Sequence, residues 1–469
     1  MSVENNYRSA AWQVLTHFRP EKQNLAELIV QFGDDIQNRA GLVDIALGTI
    51  RNLTFIDNLI EKISARKIKR INTSALNCIR IAAYELVFTN QADYAIVNEA
   101  VELSCETASK KAAGFVNAVL RNICRAIKNK SAELKTAPPE KTLPLNPQTG
   151  CEFNMEILPD AKKFRIEYLN LAFSLPIWFI EQLLAQFGYE KTLGVCFASN
   201  RKPSVYARPN KLKTTAEKLC EIFKAENIDC TPCHCERSEA ISNTSDMLKI
   251  NNPGSLAELD AFKQGLFVIQ DLTASSVVPF LNPQTGWRIF DLCAAPGTKT
   301  TQLAESTCDK AAIIASDIDA ARLTKLAENI NRLGITSIET RDYKTLLEDR
   351  AYFSTADAII VDVPCSNTGV LAKRVEVRYR LTRNMLDSIE RVQLGILKSA
   401  ANFVKPGGKI CYSTCSILNQ ENRNVVDIFL KDEPGFIFER EKLTLPSAEN
   451  FDHDGGYAAI IIRRDGFIP

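Results

Sequence analysis

The stretch Asp291-Leu292-Cys293-Ala294-Ala295-Pro296-Gly297-Thr298-Lys299-Thr300 decides the fold of the second half of this chain. It follows a short apolar run, Trp287 to Phe290, and precedes a segment with a helical pattern. A strand that ends in a tight Pro-Gly turn and opens a helix is how doubly wound α/β sheets present a cofactor. The small side chains of such a turn let the backbone approach a bound ligand closely.

Apolar runs and amphipathic helical segments alternate around and beyond this turn. The apolar runs end at Phe290, Ala315, Val361 and Tyr412. This alternation predicts a parallel sheet with right-handed crossovers, in which ligands bind outside the carboxyl ends of the strands. We therefore expect a Rossmann-like α/β domain over 265–469, with its functional residues directly after its strands.

Acidic residues follow the second predicted strand. Asp317 comes roughly twenty residues after the glycine of the turn, where a carboxylate can accept both hydroxyls of a ribose. Asp319 suits the N-cap of a helix over 320–333 instead. Dinucleotide-binding turns have the pattern G-x-G-x-x-G, whereas this turn has one glycine. The pattern therefore does not predict a pyrophosphate cradle.

Two further strand ends carry cysteines with polar neighbours. They are Cys365 in Asp362-Val363-Pro364-Cys365-Ser366, and Cys415 in Ser413-Thr414-Cys415-Ser416. A cysteine thiolate at such a position is a candidate nucleophile. The thiols of Cys293, Cys308 and Cys411 are instead predicted to be small, buried apolar groups, as most of the cysteines should be.

A cofactor turn followed by two such cysteine-bearing strand ends resembles the RNA (cytosine-5) methyltransferases of the Sun type. The resemblance implies S-adenosylmethionine as the cofactor. It also implies that Cys415 is the nucleophile, that Cys365 assists release of the covalent complex, and that Asp362 contacts the cytosine. The residues assigned to the cofactor by resemblance and position are Cys293, Ala294, Ala295, Pro296, Gly297, Thr298, Lys299, Asp317, Asp342 and Asp362. Lys299 could either hold the cofactor carboxylate or support the turn.

The chemistry of this family explains why a thiol is needed. C5 of cytosine is a poor nucleophile, but a thiolate that adds to C6 makes C5 enamine-like, so that C5 can attack an activated methyl group. A base then removes the C5 proton and the thiol leaves. DNA cytosine-5 methyltransferases attack with the cysteine of their Pro-Cys segment, here Cys365, whereas the RNA family uses the later one, here Cys415. A paired cytosine must also be unstacked before a thiol can reach it.

The N-terminal third, from about residue 7 to 130, has the pattern of successive amphipathic helices. Asn72 is a candidate N-cap. The segments 94–103 and 113–121 resemble the NusB-type RNA-binding helical domain. That resemblance implies RNA contacts by two basic clusters, although solvated surface charge is the alternative for either. The clusters are Arg66, Lys67, Lys69 and Arg70, and Arg121, Arg125, Lys128 and Lys130.

Four segments are expected along the chain. An all-α NusB-like RNA-binding domain over 1–133 is followed by a proline-rich linker over 134–170 and a small α+β RNA-binding subdomain over 171–264. The Rossmann-like methyltransferase domain over 265–469 completes the chain. Arg201, Lys202 and Arg208 of the subdomain are candidate phosphate contacts, with plain surface charge as the alternative.

The cysteines at 230, 233 and 235 invite a zinc interpretation. No second Cys or His pair lies at zinc-finger distance, so an inserted loop over about 230–247 is the preferred interpretation, and no metal is expected.

Composition narrows the class of protein. The hydrophobic content of 45%, the charged content of 24% and the net charge of +1 are those of a globular protein without an overall nucleic-acid signature. No apolar run approaches the roughly 18 residues that span a bilayer. The first residues lack the pattern of a signal peptide, and the 14 cysteines are too scattered for a disulfide framework. We therefore expect a cytoplasmic protein without membrane contact, and a monomer.

Together the two resemblances predict methylation of C5 of a cytosine in small-subunit (16S) rRNA, free or partly assembled. The alternatives are C5 methylation of another RNA and a non-catalytic NusB-like RNA-binding or antitermination factor. Three departures from the family pattern stand out. Thr298 replaces a second glycine, the segment 373–376 replaces a basic one containing Pro-Asp, and the tail at 453–457 lacks an aromatic pair.

Overall fold

The computed structural model describes residues 6–21, 25–233 and 246–466. The chain forms two compact units. The first comprises Met1–Lys202 and Leu371–Arg380, and the second comprises Pro203–Val370 and Leu381–Pro469. The predicted subdomain over 171–264 is therefore divided between the two units at residue 202.

The first unit begins as the helical bundle that the apolar periodicity predicts. Asn72 caps one helix as expected, because its Oδ1 accepts the backbone N–H of Ala75 at 3.1 Å. The last helix is kinked at Gly188, whose φ of 75° is accessible to glycine. The helices are α1 (Tyr7–His17), α2 (Leu25–Gly33), α3 (Arg39–Arg51), α4 (Leu53–Ser64), α5 (Thr73–Phe88), α6 (Asp93–Thr107), α7 (Lys110–Ala126), α8 (Arg165–Phe173) and α9 (Ile177–Asn200).

A small antiparallel sheet occupies part of the predicted linker over 134–170, where the sequence indicated loops and no strands. Its strands are β1 (Ile127–Glu133), β2 (Thr142–Pro144) and β3 (Thr149–Phe153), in the order β1-β3-β2. The expected helix also ends before Lys128 and Lys130, which lie in β1. The strand β2 has only three residues and ends at Pro144, and β3 has five. Strands this short give no clear alternation of apolar and polar residues, so the prolines were the stronger signal in the sequence.

The second unit contains a four-stranded antiparallel sheet, in the order β5-β6-β4-β7, which carries the predicted α+β character. Of the predicted insert over about 230–247, Cys230 lies in strand β5 rather than in a loop, and residues 234–245 are outside the described residues. The elements are β4 (Val205–Pro209), α10 (Ala216–Ala225), β5 (Cys230–Pro232), β6 (Leu248–Ile250), α11 (Asp260–Lys263), β7 (Phe267–Ile269), α12 (Leu272–Ser275) and α13 (Val277–Leu281).

The large sheet of the second unit has seven strands in the order β10-β9-β8-β11-β12-β14-β13. The first five are parallel as predicted, whereas β14 and β13 are antiparallel additions. The elements are β8 (Arg288–Asp291), α14 (Thr298–Ser306), β9 (Ala312–Asp317), α15 (Ala320–Leu333), β10 (Ile338–Asp342), α16 (Tyr343–Glu348), β11 (Ala356–Asp362), α18 (Arg383–Ala401), β12 (Val404–Thr414), α19 (Arg423–Asp432), β13 (Phe436–Thr444) and β14 (Gly456–Arg463). The helix α17 (Val377–Arg380), between β11 and α18 in the chain, belongs to the first unit.

The core of this unit lies on both faces of the large sheet. Ile289 and Phe290, neighbours in β8, belong to two different clusters of buried side chains. This is expected, because successive side chains of a strand point to opposite faces. Near-continuous apolar strands such as 358–361 are typical of a sheet that is buried on both sides.

The segment between β11 and α18, Leu371–Arg380, folds with the first unit. The guanidinium of Arg378 is buried there and donates to the carbonyls of Arg51 and Ser199, at 2.7 and 2.9 Å. Burial lowers the pKa of Arg378 to about 10. The departure from the family pattern at 373–376 therefore lies in a segment anchored within the first unit.

Among the described residues, no single helix is both long enough and apolar enough to cross a membrane. Only α8 and α9 taken together, bent by 118°, have that length and composition.

Candidate functional site

The register of the parallel strands brings the predicted site residues to one edge of the large sheet. Asp342 at the end of β10 is opposite Asp317 at the end of β9. Asp362 at the end of β11 is opposite Ser413, which precedes Cys415 by two residues. This edge is formed by the carboxyl ends of the strands, where α/β sheets bind their ligands.

The turn after β8 is held by backbone contacts to the neighbouring strand. The amide of Ala294 donates to the carbonyl of Ser316 at 2.9 Å, and the Ala295–Pro296 peptide bond is cis. Gly297 has a φ of 104°, and a Cβ there would lie 2.3 Å from a side-chain carbon of Leu326. The position therefore requires glycine. The helix α14 begins at the next residue, Thr298.

Asp319 has the capping role that its position predicts, whereas the ribose contact of Asp317 stays a prediction. Asp317 is buried, and its carboxylate accepts the amides of Ala295 at 3.2 Å and Asp319 at 3.1 Å. It thereby ties the turn to the end of β9. Asp319 caps α15, since its Oδ1 accepts the amides of Ala321 and Arg322 at 2.9 and 3.2 Å. The prediction of a cap there, and of a helix over 320–333, is confirmed.

Asp342 is exposed and caps α16. Its carboxylate accepts the backbone N–H and the hydroxyl of Thr345 at 2.9 and 3.0 Å. These two hydrogen bonds lower the pKa of Asp342. Its place in the register leaves it one strand beyond Asp317 along the same edge.

Lys299 connects the turn to the end of β11. Its Nζ lies 2.5 Å from Oδ2 of Asp362, and the hydroxyl of Ser413 donates to the other carboxylate oxygen at 2.8 Å. Burial favours the neutral amine, but the Asp362 carboxylate outweighs burial, so the pKa of Lys299 is raised. The structure shows Lys299 paired with Asp362, and the cofactor contact of Lys299 stays a prediction.

The two cysteines at the strand ends are neighbours in space. Their Sγ atoms are 2.9 Å apart, and both residues are partly exposed. The thiol of Cys415 also contacts Oδ1 of Asn367 at 3.2 Å. The hydrogen bond with Cys415 and burial raise the pKa of Cys365 well above its ordinary value.

One cavity is lined by three of the site residues. It encloses about 510 Å³, part of it open to solvent, and Cys415, Asp362 and Lys299 lie in its wall. Thr414 and Tyr457 line it as well. The structure therefore gives the Cys415 thiol an open path beside the Lys299–Asp362 pair, while Asp317 and Asp342 lie on β9 and β10 along the same edge.

Three residues at this edge were missed from the sequence. Asp291 is buried and accepts the hydroxyl of Thr300 at 2.8 Å, and burial raises the pKa of Asp291 to about 7. Its position at the carboxyl end of the predicted strand could have identified Asp291 as a site residue from the sequence. Ser413 donates a hydrogen bond to Asp362, and the buried Glu421 contacts both cysteine loops through Ser366, 55 residues away, and Ser416, five residues away.

The interpretation of Arg208 as a phosphate contact was wrong. Its guanidinium is buried and donates to Glu305 at 2.8 Å, to the carbonyl of Thr298 at 2.9 Å and to Gln270 at 2.5 Å. It therefore supports the start of α14 from within the unit. Lys202 is exposed, with its ammonium 2.8 Å from Asp44.

The predicted burial of other cysteines is only partly correct. Cys411 is fully buried, but Cys293 is partly exposed and Cys308 is exposed. Cys308 is exposed because it lies in the turn that follows α14, where its φ is 55°.

Several members of the basic clusters already have acidic partners. Lys67 lies 2.9 Å from Glu61, and Lys130 lies 2.9 Å from Asp93. Lys128 lies 2.7 Å from Glu152, although its side chain remains 62% exposed. Pairs of this exposure are weak and do not prevent these lysines from contacting another anion.

Three family descriptions match successive parts of the chain. Residues 5–125 match the NusB family, and residues 175–242 match the ferredoxin-like domain described for RsmF/B-like methyltransferases. Residues 278–459 match the family described as 16S rRNA methyltransferase RsmB/F.

Two relatives match this chain over 90% or more of their own length. The ribosomal RNA small subunit methyltransferase B of Yersinia enterocolitica is 27% identical over 472 residues, which cover 98% of this chain and 99% of that protein. The probable ribosomal RNA small subunit methyltransferase B of a Synechocystis species is 28% identical over 92% of this chain and 90% of its own. The crystal structure of NSun6 from Pyrococcus horikoshii with SFG has the same fold, with a TM-score of 0.52 and 22% identity over 61% of this chain and 98% of that one.

Proposed function

Since the chain belongs to the RsmB/F methyltransferases that carry a NusB domain, we propose that it methylates C5 of a cytosine in 16S rRNA. The observation that carries this proposal is the partly exposed Cys415 thiol, which lines a cavity with Asp362 and Lys299 and lies 2.9 Å from a second thiol. The names of the full-length relatives support ribosomal RNA as the substrate.

The sheet edge suits S-adenosylmethionine better than a phosphate-bearing cofactor. Asp317, Asp342 and Asp362 end the strands β9, β10 and β11 at the same edge of the sheet. Carboxylates attract a sulfonium cation and accept hydrogen bonds from ribose hydroxyls, whereas they repel phosphates. The small residues Ala294 and Ala295 and the positive φ of Gly297 allow close approach at the turn. The NSun6 structure contains SFG, an S-adenosylmethionine analogue, on the same fold. When bound, the cofactor supplies an electrophilic methyl group.

The Cys415 thiol is the group that activates the base. After it loses its proton, its sulfur forms a bond to C6 of the cytosine, and the electron pair of the C5–C6 double bond becomes available at C5 for attack on the methyl group. A base then removes the C5 proton, the electron pair of the C–H bond restores the C5–C6 double bond, and the C6–S bond breaks with its electron pair on the Cys415 sulfur. Asp362, held by Lys299 and Ser413, contacts the cytosine during these steps.

Cys365 assists the final step. Its raised pKa keeps its thiol protonated at neutral pH. As the C6–S bond breaks, Cys415 leaves as a thiolate, and a neutral S–H group 2.9 Å away donates a hydrogen bond to that developing charge. Removing this donor should slow release and leave the protein attached to RNA.

The remaining parts of the proposal concern the substrate and the cell. The NusB-like domain over 1–133 and the subdomain over 171–264, joined by 134–170, would bind the RNA and present the cytosine to the methyltransferase domain over 265–469. The substrate is free rRNA or a partly assembled subunit, and the enzyme acts as a cytoplasmic monomer.

Methylation with labelled cofactor tests the proposal. Incubation of 16S rRNA with S-adenosylmethionine labelled on its methyl group should yield labelled 5-methylcytosine. Cys415→Ser should abolish the label, and Cys365→Ala should accumulate a protein–RNA adduct that survives denaturation. Cys105→Ser, on an exposed face of α6, is the matched control and should behave like the wild type.

Two outcomes would change the assignment. Label on another RNA with none on 16S rRNA would keep the chemistry and overturn the substrate. An adduct that is lost only when Cys365 is removed would assign the nucleophile to the Pro-Cys segment, as in the DNA enzymes.

A further inference from the structure

We propose that Glu421 is a positioning residue for both cysteines, because it holds together the loops after β11 and β12 that carry Cys365 and Cys415. For its catalytic meaning this inference rests on the proposed function. The geometry that supports it stands independently of the reaction.

The carboxylate of Glu421 is fully buried and accepts hydrogen bonds from both loops. Its Oε1 accepts the backbone N–H of Ser366 at 2.7 Å, and its Oε2 accepts the hydroxyl of Ser416 at 2.5 Å. The hydroxyl of Ser366 also donates to Oε2, and Gln393 donates to Oε1 at 3.2 Å. Ser366 directly follows Cys365, and Ser416 directly follows Cys415, so one side chain constrains the backbone beside each thiol.

Further contacts between the loops depend on the same arrangement. The hydroxyls of Thr368 and Ser416 lie 2.9 Å apart, and Thr368 accepts the amide of Ile417 at 3.2 Å. The amide of Gly369 donates to the carbonyl of Cys415 at 2.9 Å. The carboxylate is therefore part of a hydrogen-bonded network that joins the two loops, whose thiols lie 2.9 Å apart.

A carboxylate suits this place better than an amide or a hydroxyl. The four donors that reach it are a backbone amide, two hydroxyls and a carboxamide. An ionised carboxylate accepts at both oxygens, whereas a glutamine accepts at one and must donate from the other end. Burying a charge without a cation is costly, and several donors are needed to offset that cost.

The charge of Glu421 also acts on the neighbouring thiol. The titratable groups that interact with Cys365 include Cys415, Glu421 and Tyr412. The hydrogen bond with Cys415, burial and the charges of Cys415 and Glu421 raise the pKa of Cys365. Glu421 thus helps to keep Cys365 protonated. A residue that only stabilised the fold would leave the titration of Cys365 unchanged, and this difference separates the two roles.

Thiol alkylation in the free protein tests the role without RNA or cofactor. We would measure iodoacetamide modification of Cys365 and Cys415 between pH 6 and pH 10 by peptide mass spectrometry. Glu421→Gln should increase the rate of Cys365 modification at the alkaline end of this range, because removal of the negative charge lowers the pKa of that thiol. Asp309→Asn is the matched control, because Asp309 also accepts backbone amides, those of Thr336 and Ser337, but lies at the amino-terminal ends of the strands.

Methylation measurements then give the catalytic consequence. Glu421→Gln and the milder Ser416→Ala should lower kcat, about 10- to 100-fold for Glu421→Gln, with little change in KM for S-adenosylmethionine. Glu421→Gln with the pH profile and kcat of the wild type would overturn the inference. If Glu421→Gln did not fold, Ser416→Ala with an unchanged kcat and an unchanged Cys365 profile would overturn it in the same way. A wild-type protein that methylates no RNA would refute the proposed function alone, since alkylation would still decide the role of Glu421.

Discussion

Replacing Arg208 by methionine should destabilise the second unit by about 3 to 5 kcal/mol, because it leaves the carboxylate of Glu305 buried without its cation. In the wild type, Nη2 of Arg208 lies 2.8 Å from Oε1 of Glu305, and the two side chains are 5% and 2% exposed. Loss of the bonds to Gln270 and to the carbonyl of Thr298 contributes about 1 kcal/mol each within this total.

The cost should depend on pH in a defined direction. Burial raises the pKa of Glu305, and loss of Arg208 should raise it further. The folded variant then binds a proton that the unfolded chain has released, so its stability falls as pH rises above the unfolded pKa of about 4. Arg208→Met should therefore be less destabilising at pH 5 than at pH 8. The double variant Arg208→Met/Glu305→Gln should recover at least about 2 kcal/mol, because neither charge remains.

Urea unfolding measured by tryptophan fluorescence provides the assay. The chain has three tryptophans, and replacing Trp12 and Trp178 by phenylalanine leaves Trp287, next to β8, as a reporter of the second unit. Additive effects of the two substitutions within about 0.5 kcal/mol would refute the reasoning. A folded Arg208→Met with wild-type stability but weaker RNA binding would restore the phosphate-contact interpretation.

Three further changes test other parts of the site. Lys299→Met should lower the single-turnover methylation rate about 10- to 100-fold, because Asp362 loses the ammonium that holds it; a wild-type rate would contradict this role. Gly369→Ala should reduce methylation by displacing the loop, since a Cβ there would lie 2.7 Å from the carbonyl oxygen of Cys415; an unchanged rate would show that the loops are not tightly coupled. Burial raises the pKa of Asp291 to about 7, so the folded state binds the extra proton and wild-type stability should fall as pH rises from about 4 to 7. Between pH 5 and pH 8 the free energy of unfolding of the wild type should fall by about 3 kcal/mol more than that of Asp291→Asn. Parallel stability curves for the two proteins would contradict the raised pKa of Asp291.

Local signals predicted the parts of the molecule that depend on neighbours in sequence. The helix α15 begins and ends where the cap Asp319 and the apolar period place it. The turn over 293–299 also lies where a small-residue loop after a strand predicts it. In both cases the interactions that determine the structure join residues a few positions apart, so the local sequence pattern is enough to predict them.

Contacts between residues far apart in the chain could not be predicted from the sequence in this way. Arg208 and Glu305 are 97 residues apart, and Ser366 and Glu421 are 55 apart. A charged residue in an isolated sequence is expected at the surface, so nothing local indicated that Arg208 and Glu421 are buried. The strands β2 and β3 were missed because they are short and pair across a proline-containing turn.

The most direct test of the central claim is to identify which cysteine is attached to RNA during turnover. In 16S rRNA that contains 5-fluorocytidine, no proton can leave from C5 after methyl transfer, so the covalent complex should persist. We expect mass spectrometry of the digested wild-type complex to find the nucleotide on the peptide that contains Cys415. A nucleotide on Cys365, or methylation of ordinary rRNA without any trapped complex, would contradict the account.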